Sequence, residues 1–327
     1  MAVTFGTGAG NAAGLWTTYI LRKFIPALRD NLVLSQYAEK ASLPKGEGAL
    51  VARWNKMANL AVDAIALDEG SATDNMITEV AVTSVEATVA SYGQWMQISD
   101  LAEESVTRSA LDAYSDTFAY AGAKVLDKLI YTQAVATTSL LKSGDTSATT
   151  EIMVSTNVLT AQDAVVVGEL LRANNARGFE SLGNKYYFGI SAEQELDLVT
   201  DVTTTRLSWS NVFQHTSPGL DRIVNKTNGD VVGAIGRVVV GLCDAVDTVV
   251  AESTTNVTVY RGIALSRHGV GWLGFGTKQT SPKIIMKRPG SGDTSNPLNQ
   301  YMTVGYKFKG VSKLLDASRA FTVYSAI

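Results

Sequence analysis

The chain has 327 residues, 46% of them apolar and 18% charged, with 28 Lys and Arg against 31 Asp and Glu for a net charge of −3. That length holds one large or two ordinary domains with real cores. The composition excludes a disordered chain, and the even spread of Lys and Arg excludes a basic nucleic-acid footprint.

The lone cysteine, Cys243, rules out an internal disulfide framework and fits a reducing compartment. The N-terminus lacks a basic stretch before an apolar core, so it does not read as a signal peptide, and no run of eighteen apolar residues exists. The expectation is a soluble chain made in the cytosol, with no membrane partner.

Gly6, Gly8, Gly10 and Gly14 stand among small residues at the start. That density of glycine describes a flexible arm rather than a helix or strand. An amphipathic stretch with Leu15, Trp16, Tyr19, Ile20 and Phe24 follows, and Pro26 opens a short helical turn from the position that suits proline. Residues 48–57, GALVARWNKM, read as a strand that carries Trp54. Residues 58–76 are mixed, with turn signals at Asp68-Glu69-Gly70 and Asp74-Asn75.

From Ile77 to Asp100 apolar and polar residues alternate: Val80 and Val82, then Val85, Ala87 and Val89. Such a run predicts a strand with one dry face and one wet face. With the strand at 48–57 it makes a long ribbon. A two-stranded ribbon is marginal in water by itself, so this one must lie on something else. Tyr92 and Trp95 around Gly93 mark either core at a strand bend or a pivot where an extended arm leaves the body.

Asp100 with Glu103 forms a capping signature, and a helix is expected over 100–134. Leu111, Tyr114, Phe118, Ala121, Val125 and Leu129 give it one apolar stripe, and at ~1.5 Å per residue it is a rod of about 50 Å. After the polar break at 142–150 the pattern turns mixed. Thr160 and Asp163 cap a helix reaching Leu170, Leu171 and Ala176. KYYFGI (185–190) is a buried strand, and Ser191 with Gln194 caps the next helix. Further strands are expected at 236–242, 257–265, 271–275 and 282–288, then a loop at 289–300, then two closing strands at 301–309 and 320–326. No internal repeat is present.

No residue pattern in the chain points to catalysis. Gly8-Ala9-Gly10-Asn11-Ala12-Ala13 matches a dinucleotide-loop pattern, but no βαβ unit surrounds it, and a flexible arm is the better reading. His215 and His268 are the only histidines, too few for a three-histidine metal site. Cys243 follows an apolar strand, where a buried structural cysteine is usual, although a dyad with His268 is conceivable. No nucleophile elbow and no phosphate loop is present. No catalytic, cofactor or metal constellation is expected.

The order of these features carries a resemblance. Pro26-Ala27-Leu28-Arg29-Asp30-Asn31-Leu32, Glu69-Gly70, Tyr92-Gly93, Ser99-Asp100 and PLNQYMTVGYKFKGVSKLLD (297–316) stand in a set sequence around the long helix. The chain resembles a tailed-bacteriophage major capsid protein with the α+β Hong Kong 97-type fold, more narrowly the family typified by the coliphage N-four major coat protein. The match spans most of the chain and is thinnest from about 140 to 290.

The resemblance implies a division of labour. Residues 1–25 would be an N-terminal arm, 45–92 an extended loop over the adjacent subunit, and 26–44 with 93–154 a peripheral domain holding the spine helix 100–134. Residues 155–290 would be an axial domain, and 291–327 would return to the peripheral domain. Subunit-interface residues would be Gly6, Gly8, Gly10, Trp16, Trp54, Val80, Val82, Val85 and Val89. Tyr92, Gly93 and Trp95 would form the pivot of the extended loop, and Asp100 with Glu103 the cap of the spine helix.

The implied partners are other copies in hexamers and pentamers, non-specifically contacted double-stranded DNA, a portal and a decoration protein. Because the chain opens directly on the arm, a separate scaffolding protein is also expected. The alternatives are an encapsulin-like nanocompartment shell and, from another class, a nucleotide-binding oxidoreductase built on Gly8 and Gly10.

Overall fold

The structure is a computed structural model, and it describes residues 33–43, 50–58, 80–99, 108–143, 157–200, 231–250, 257–275, 282–287 and 300–326. In the first half lie β1 (Glu39–Leu43), β2 (Val51–Met57), β3 (Val82–Thr88), β4 (Ala90–Ser99), the long helix α1 (Arg108–Val135) and β5 (Leu140–Lys142). Then come α2 (Ala161–Ala173), β6 (Tyr186–Ile190), α3 (Ala192–Thr200), β7 (Val231–Ile235), β8 (Val238–Leu242) and β9 (Thr248–Val250). The last are β10 (Thr258–Leu265), β11 (Val270–Phe275), β12 (Lys283–Lys287), β13 (Tyr301–Leu314) and β14 (Ala320–Ala326).

The first sheet is organised by β13. Antiparallel β4 pairs with it from Tyr301 to Gly310, β12 pairs with Thr303–Lys307, and β11 pairs with Gly310–Leu314; β1 then runs parallel to β11. Alternation along β13 sets the two faces. Met302, Val304, Tyr306 and Phe308 are buried, whereas Lys307, Lys309 and Lys313 are exposed. On the buried face Tyr92 stacks on Phe308 at 5.3 Å between ring centroids, and Phe118 of α1 meets Tyr306 at 6.3 Å. Gly122 lets α1 sit this close: a Cβ there would lie 2.7 Å from Pro282 and 3.0 Å from the Tyr306 ring.

The second sheet has seven strands, ordered β5-β14-β10-β6-β8-β7, with β9 also on β10. It is covered on both faces, which is why KYYFGI reads as a continuous apolar run. On one face Tyr187, Val239, Ile263 and Leu265 join Ile130 and Tyr131 of α1. On the other, Tyr186, Phe188, Ile190, Val238 and Val240 join Ala164, Val167 and Leu171 of α2 and Leu198 of α3. The C-terminal half of α1 therefore belongs to one core shared with Trp272 of the first sheet and Tyr187 of the second.

Two polar clusters fasten α1. The buried Asp127 carboxylate accepts the backbone N–H groups of Val33 and Leu34 at 3.1 and 3.2 Å, and that of Ser35 at 2.9 Å. Burial pushes its pKa above the usual carboxylate value, against the pull of those three N–H groups. The Tyr131 hydroxyl lies 2.6 Å from Asp247 Oδ1 and 2.8 Å from the Arg261 carbonyl, and it accepts the Asp247 N–H at 3.0 Å. Arg261 Nε donates to Asp247 Oδ1 at 2.7 Å. Burial raises the Asp247 pKa, but the Arg261 and Tyr131 hydrogen bonds outweigh it and hold the carboxyl below its usual value.

The expected caps at Thr160 with Asp163, and at Ser191 with Gln194, are both formed. The helix differs in phase from the expected stripe. Phe118, Ala121, Val125 and Leu129 are only partly buried, and Tyr114 is exposed; the deepest residues are Leu126, Ile130, Tyr131 and Ala134. The reason is that two sheets share this helix, so its dry sector turns toward the crevice between them. The Asp100 and Glu103 cap lies outside the described residues, as do Gly6, Gly8, Gly10 and Trp16. The sheets also cross the domain bounds drawn from sequence. β11 and β12, within 155–290, belong to the sheet that carries β4, while β14, within 291–327, closes the other.

Candidate interaction surface

The ribbon is real, but it is built from β2 and β3 alone. They pair antiparallel from Val51 opposite Thr88 to Met57 opposite Val82, and the Ala58 N–H to Ala81 carbonyl bond adds one more step. At Ala90 the chain changes partner and enters the first sheet as β4. Tyr92, Gly93 and Trp95 thus lie inside a paired body strand, and the junction is Val89. Alternation runs unbroken through that change of partner, which is why the sequence placed the pivot at the glycine.

The valines do not share one face. Val85 is half-buried opposite Trp54, Ala87 is buried opposite Ala52, and Val89 is half-buried. Val80 and Val82 are exposed, on the side that carries Val51, Met57 and the Arg53–Glu86 ion pair. The three-residue step from Val82 to Val85 crosses faces, because side chains alternate with a period of two. Lys56 Nζ ties the ribbon to Asp316 Oδ2 at 2.5 Å. Burial raises the Asp316 pKa, yet its hydrogen bonds from Lys56 and Ser318 win and hold it below the usual value.

The outer face of the first sheet carries a trough of about 490 Å³. Gly93 of β4, opposite Lys307, and Gly305 of β13, opposite Trp95, lie diagonally across the strand pair and leave bare backbone in the trough floor. A Cβ on Gly93 would stand 2.6 Å from the Tyr306 carbonyl oxygen, and one on Gly305 would stand 2.5 Å from the Gln94 carbonyl oxygen. So the glycine in Tyr92-Gly93 is required by close approach of strands rather than by a bend. Trp95, 67% exposed, and Ile285, 44% exposed, flank the floor.

Register fixes the charges of this face. Lys283 stands opposite Lys307, Lys287 opposite Thr303, and Lys309 opposite Ser91. Among the described residues of β4, β12 and β13 that point this way, none is a carboxylate. Sequence reading named Trp95 but missed the lysines: Lys307 and Lys309 alternate with the buried residues of β13 and could have been found from that period, whereas Lys283 and Lys287 come to this face only through the pairing of β12 with β13.

The residues weighed for chemistry do not converge. Cys243 is fully buried in the shared core, and burial pushes its thiol up to about 12. His268 instead pairs through Nδ1 with Glu39 at 3.1 Å. Among the described residues no group of three His, Cys, Asp or Glu side chains could hold a metal, and no helix is long and apolar enough to cross a membrane.

A helix laid over a β4–β13 sheet, a second sheet clasped by two helices, and a ribbon projecting from β4 together define the α+β fold of phage capsid subunits. The chain is similar along its whole length to the capsid of cyanophage Pam1, with 12% identity, 98% of this chain and 99% of that one covered, and a TM-score of 0.70. The capsid of Ralstonia phage GP4 gives 10% identity, 100% and 98% coverage, and a TM-score of 0.68. The capsid of cyanophage P-SCSP1u gives 14%, 98% and 96%, and 0.65. No family model matches the chain, and no curated protein sequence does. The Hong Kong 97-type fold expected from sequence is thus the fold found, at 10–14% identity to these structures.

Proposed function

We propose that this chain is the major shell subunit of a tailed-phage-type capsid, assembling as hexamers and pentamers into an icosahedral particle around double-stranded DNA. The observation that carries this reading is the end-to-end match to the Pam1 capsid subunit, in which almost nothing of either chain is left over. The protein works by assembly rather than turnover: many modest contacts per subunit sum to a stable closed shell.

In this reading residues 1–25 are an arm on a neighbour, 45–92 is the extended loop, and the two sheets supply the peripheral and axial bodies. Assembly takes place in the host cytoplasm with a separate scaffolding protein, and a portal and decoration protein complete the particle. DNA is held without sequence preference.

Expression of the chain, alone and with a candidate scaffolding protein, followed by sedimentation and electron microscopy, tests the proposal. Closed shells with five-fold vertices are expected. A chain that stays monomeric at high concentration under both conditions overturns it. Nucleic acid inside particles from infected cells supports a genome shell, whereas an enclosed enzyme would favour a nanocompartment.

A further inference from the structure

The two sheets meet along one line. Among the described elements the chain passes between them three times, once through α1 and twice through short turns, from β10 to β11 and from β13 to β14. Those turns, 266–269 and 315–319, lie side by side. The Ser266 N–H and hydroxyl donate to the Arg319 carbonyl at 3.1 and 2.8 Å, and the Leu315 N–H donates to the Gly269 carbonyl at 2.8 Å. A Cβ on Gly269 would stand 2.9 Å from the Arg319 carbonyl oxygen, so the two turns are pressed together. Short connectors in contact, each joining a strand of one sheet to a strand of the other, have the form of a hinge. They fix where the sheets meet and leave rotation about that line to be set elsewhere.

α1 supplies what the turns leave open. The chain just past its C-terminal end is pinned to the hinge: the Thr137 hydroxyl lies 3.0 and 2.9 Å from the Ala317 and Ala320 carbonyl oxygens, and the Ser139 hydroxyl donates to the Ala317 carbonyl at 2.8 Å. Tyr131 stands six residues before Thr137, about 9 Å back along the helix. Asp127 and Tyr131, one turn apart, are neighbours on the helix surface. Asp127 holds the backbone of residues 33–35, which runs on into β1 and so into the first sheet. Tyr131 holds Asp247 and the Arg261 carbonyl of the second sheet. One helical turn therefore carries a polar fastening to each sheet. Much of the remaining core between the sheets is apolar, with Trp272 and Ile263 in it and the Tyr37 ring stacked on Tyr187 at 4.0 Å. Apolar contact is non-directional and tolerates sliding, whereas hydrogen bonds hold a set direction.

We propose that the turns 266–269 and 315–319 form a hinge between the two sheets, and that the Asp127–Tyr131 turn of α1 is the stay that fixes its angle. The consequence for assembly rests on the shell reading. An angle held within every subunit becomes the curvature of the shell, and Tyr131 is then a positioning residue for particle size.

Spin labels measure the angle in the unassembled subunit. Lys309→Cys on β13 and Thr258→Cys on β10 place one exposed label on each sheet, while buried Cys243 stays unlabelled. In this background Tyr131→Phe, which keeps the ring and removes the hydroxyl, should leave the mean inter-label distance in place and widen its distribution about twofold. Val125→Ala removes apolar packing from the same helix and should leave the width unchanged. Circular dichroism confirms that each variant is folded. A Tyr131→Phe distribution no wider than wild type, or an equal widening by Val125→Ala, overturns the hinge and stay and leaves the shell reading intact.

A second arm images shells assembled from the unlabelled Tyr131→Phe chain beside those of wild type. A spread of diameters is expected against one wild-type diameter. Uniform shells from a subunit whose label distances have widened overturn the link from angle to particle size. A wild-type chain that forms no shell overturns the shell reading and that link together, while the label distances still decide the hinge.

Discussion

Replacing Asp127 by alanine removes one acceptor from three backbone donors. The Val33 and Leu34 N–H groups sit on residues with no exposed surface, so neither can turn to water. Each orphaned donor costs about 1–3 kcal/mol. Ser35 is half-buried, and its N–H is rehydrated at little cost. Against this, the wild-type carboxylate is itself destabilised by burial, which raises its pKa, and removing the charge returns part of that penalty. The net expected loss is about 2–4 kcal/mol, or a fall in Tm of roughly 3–6 °C for a chain of 327 residues. Equilibrium urea unfolding of the subunit, followed by far-ultraviolet circular dichroism, measures it. Asp127→Asn should lose about half as much, since its amide oxygen can serve the Oδ2 donors while its NH2 group confronts Ser35. An alanine variant within ~0.5 kcal/mol of wild type would refute the reasoning.

Gly93→Ala should cost about 1–3 kcal/mol in the same titration, because the atom its Cβ would meet is the Tyr306 carbonyl rather than a side chain able to move. No loss would mean that the β4–β13 spacing is not set by this glycine. Tyr131→Phe should cost about 1–2 kcal/mol by breaking the hub with Asp247 and Arg261, without moving the helix. Asp316→Asn should speed tryptic cleavage at Arg53 and Lys56 by about two- to fivefold, the scale of a half-exposed ion pair. The sign with pH follows from the lowered Asp316 value: its contribution is present above about 3.9 and is lost as pH falls through the lower folded-state value. Hydrogen exchange in 51–57, corrected for intrinsic rates, should therefore differ between variant and wild type at neutral pH and converge in strong acid. Cys243 should react with a thiol reagent only on unfolding; fast labelling of the native subunit would contradict its burial.

Local signals were the legible ones. The caps at Thr160 and Ser191, the buried run at 186–190 and the alternating strands near the C-terminus all rest on neighbours within a few residues, and they stand where they were expected. What escaped was decided by distant pairings. β1, β5, β7 and β9 are three to five residues long and gain their order from β11, β14, β8 and β10 rather than from their own composition. The change of partner at Val89 leaves no mark on an alternating pattern, whereas the glycine at 93 is conspicuous in sequence. The trough was half visible: Trp95 drew notice, but the lysines that give it a sign sit on strands that meet it only across the sheet.

β13 and β14 also impose an order on how the chain comes into being. β4 must wait for a partner made some two hundred residues later, and β10 is closed by β14, later still. Until residues 301–326 have left the ribosome, β4 and β12 lack the strand that holds them, β5 has no partner, and neither sheet is complete. A partly made subunit thus has no finished surface to offer a neighbour. In the shell reading proposed above, completion of synthesis becomes a licence to assemble, written into strand order.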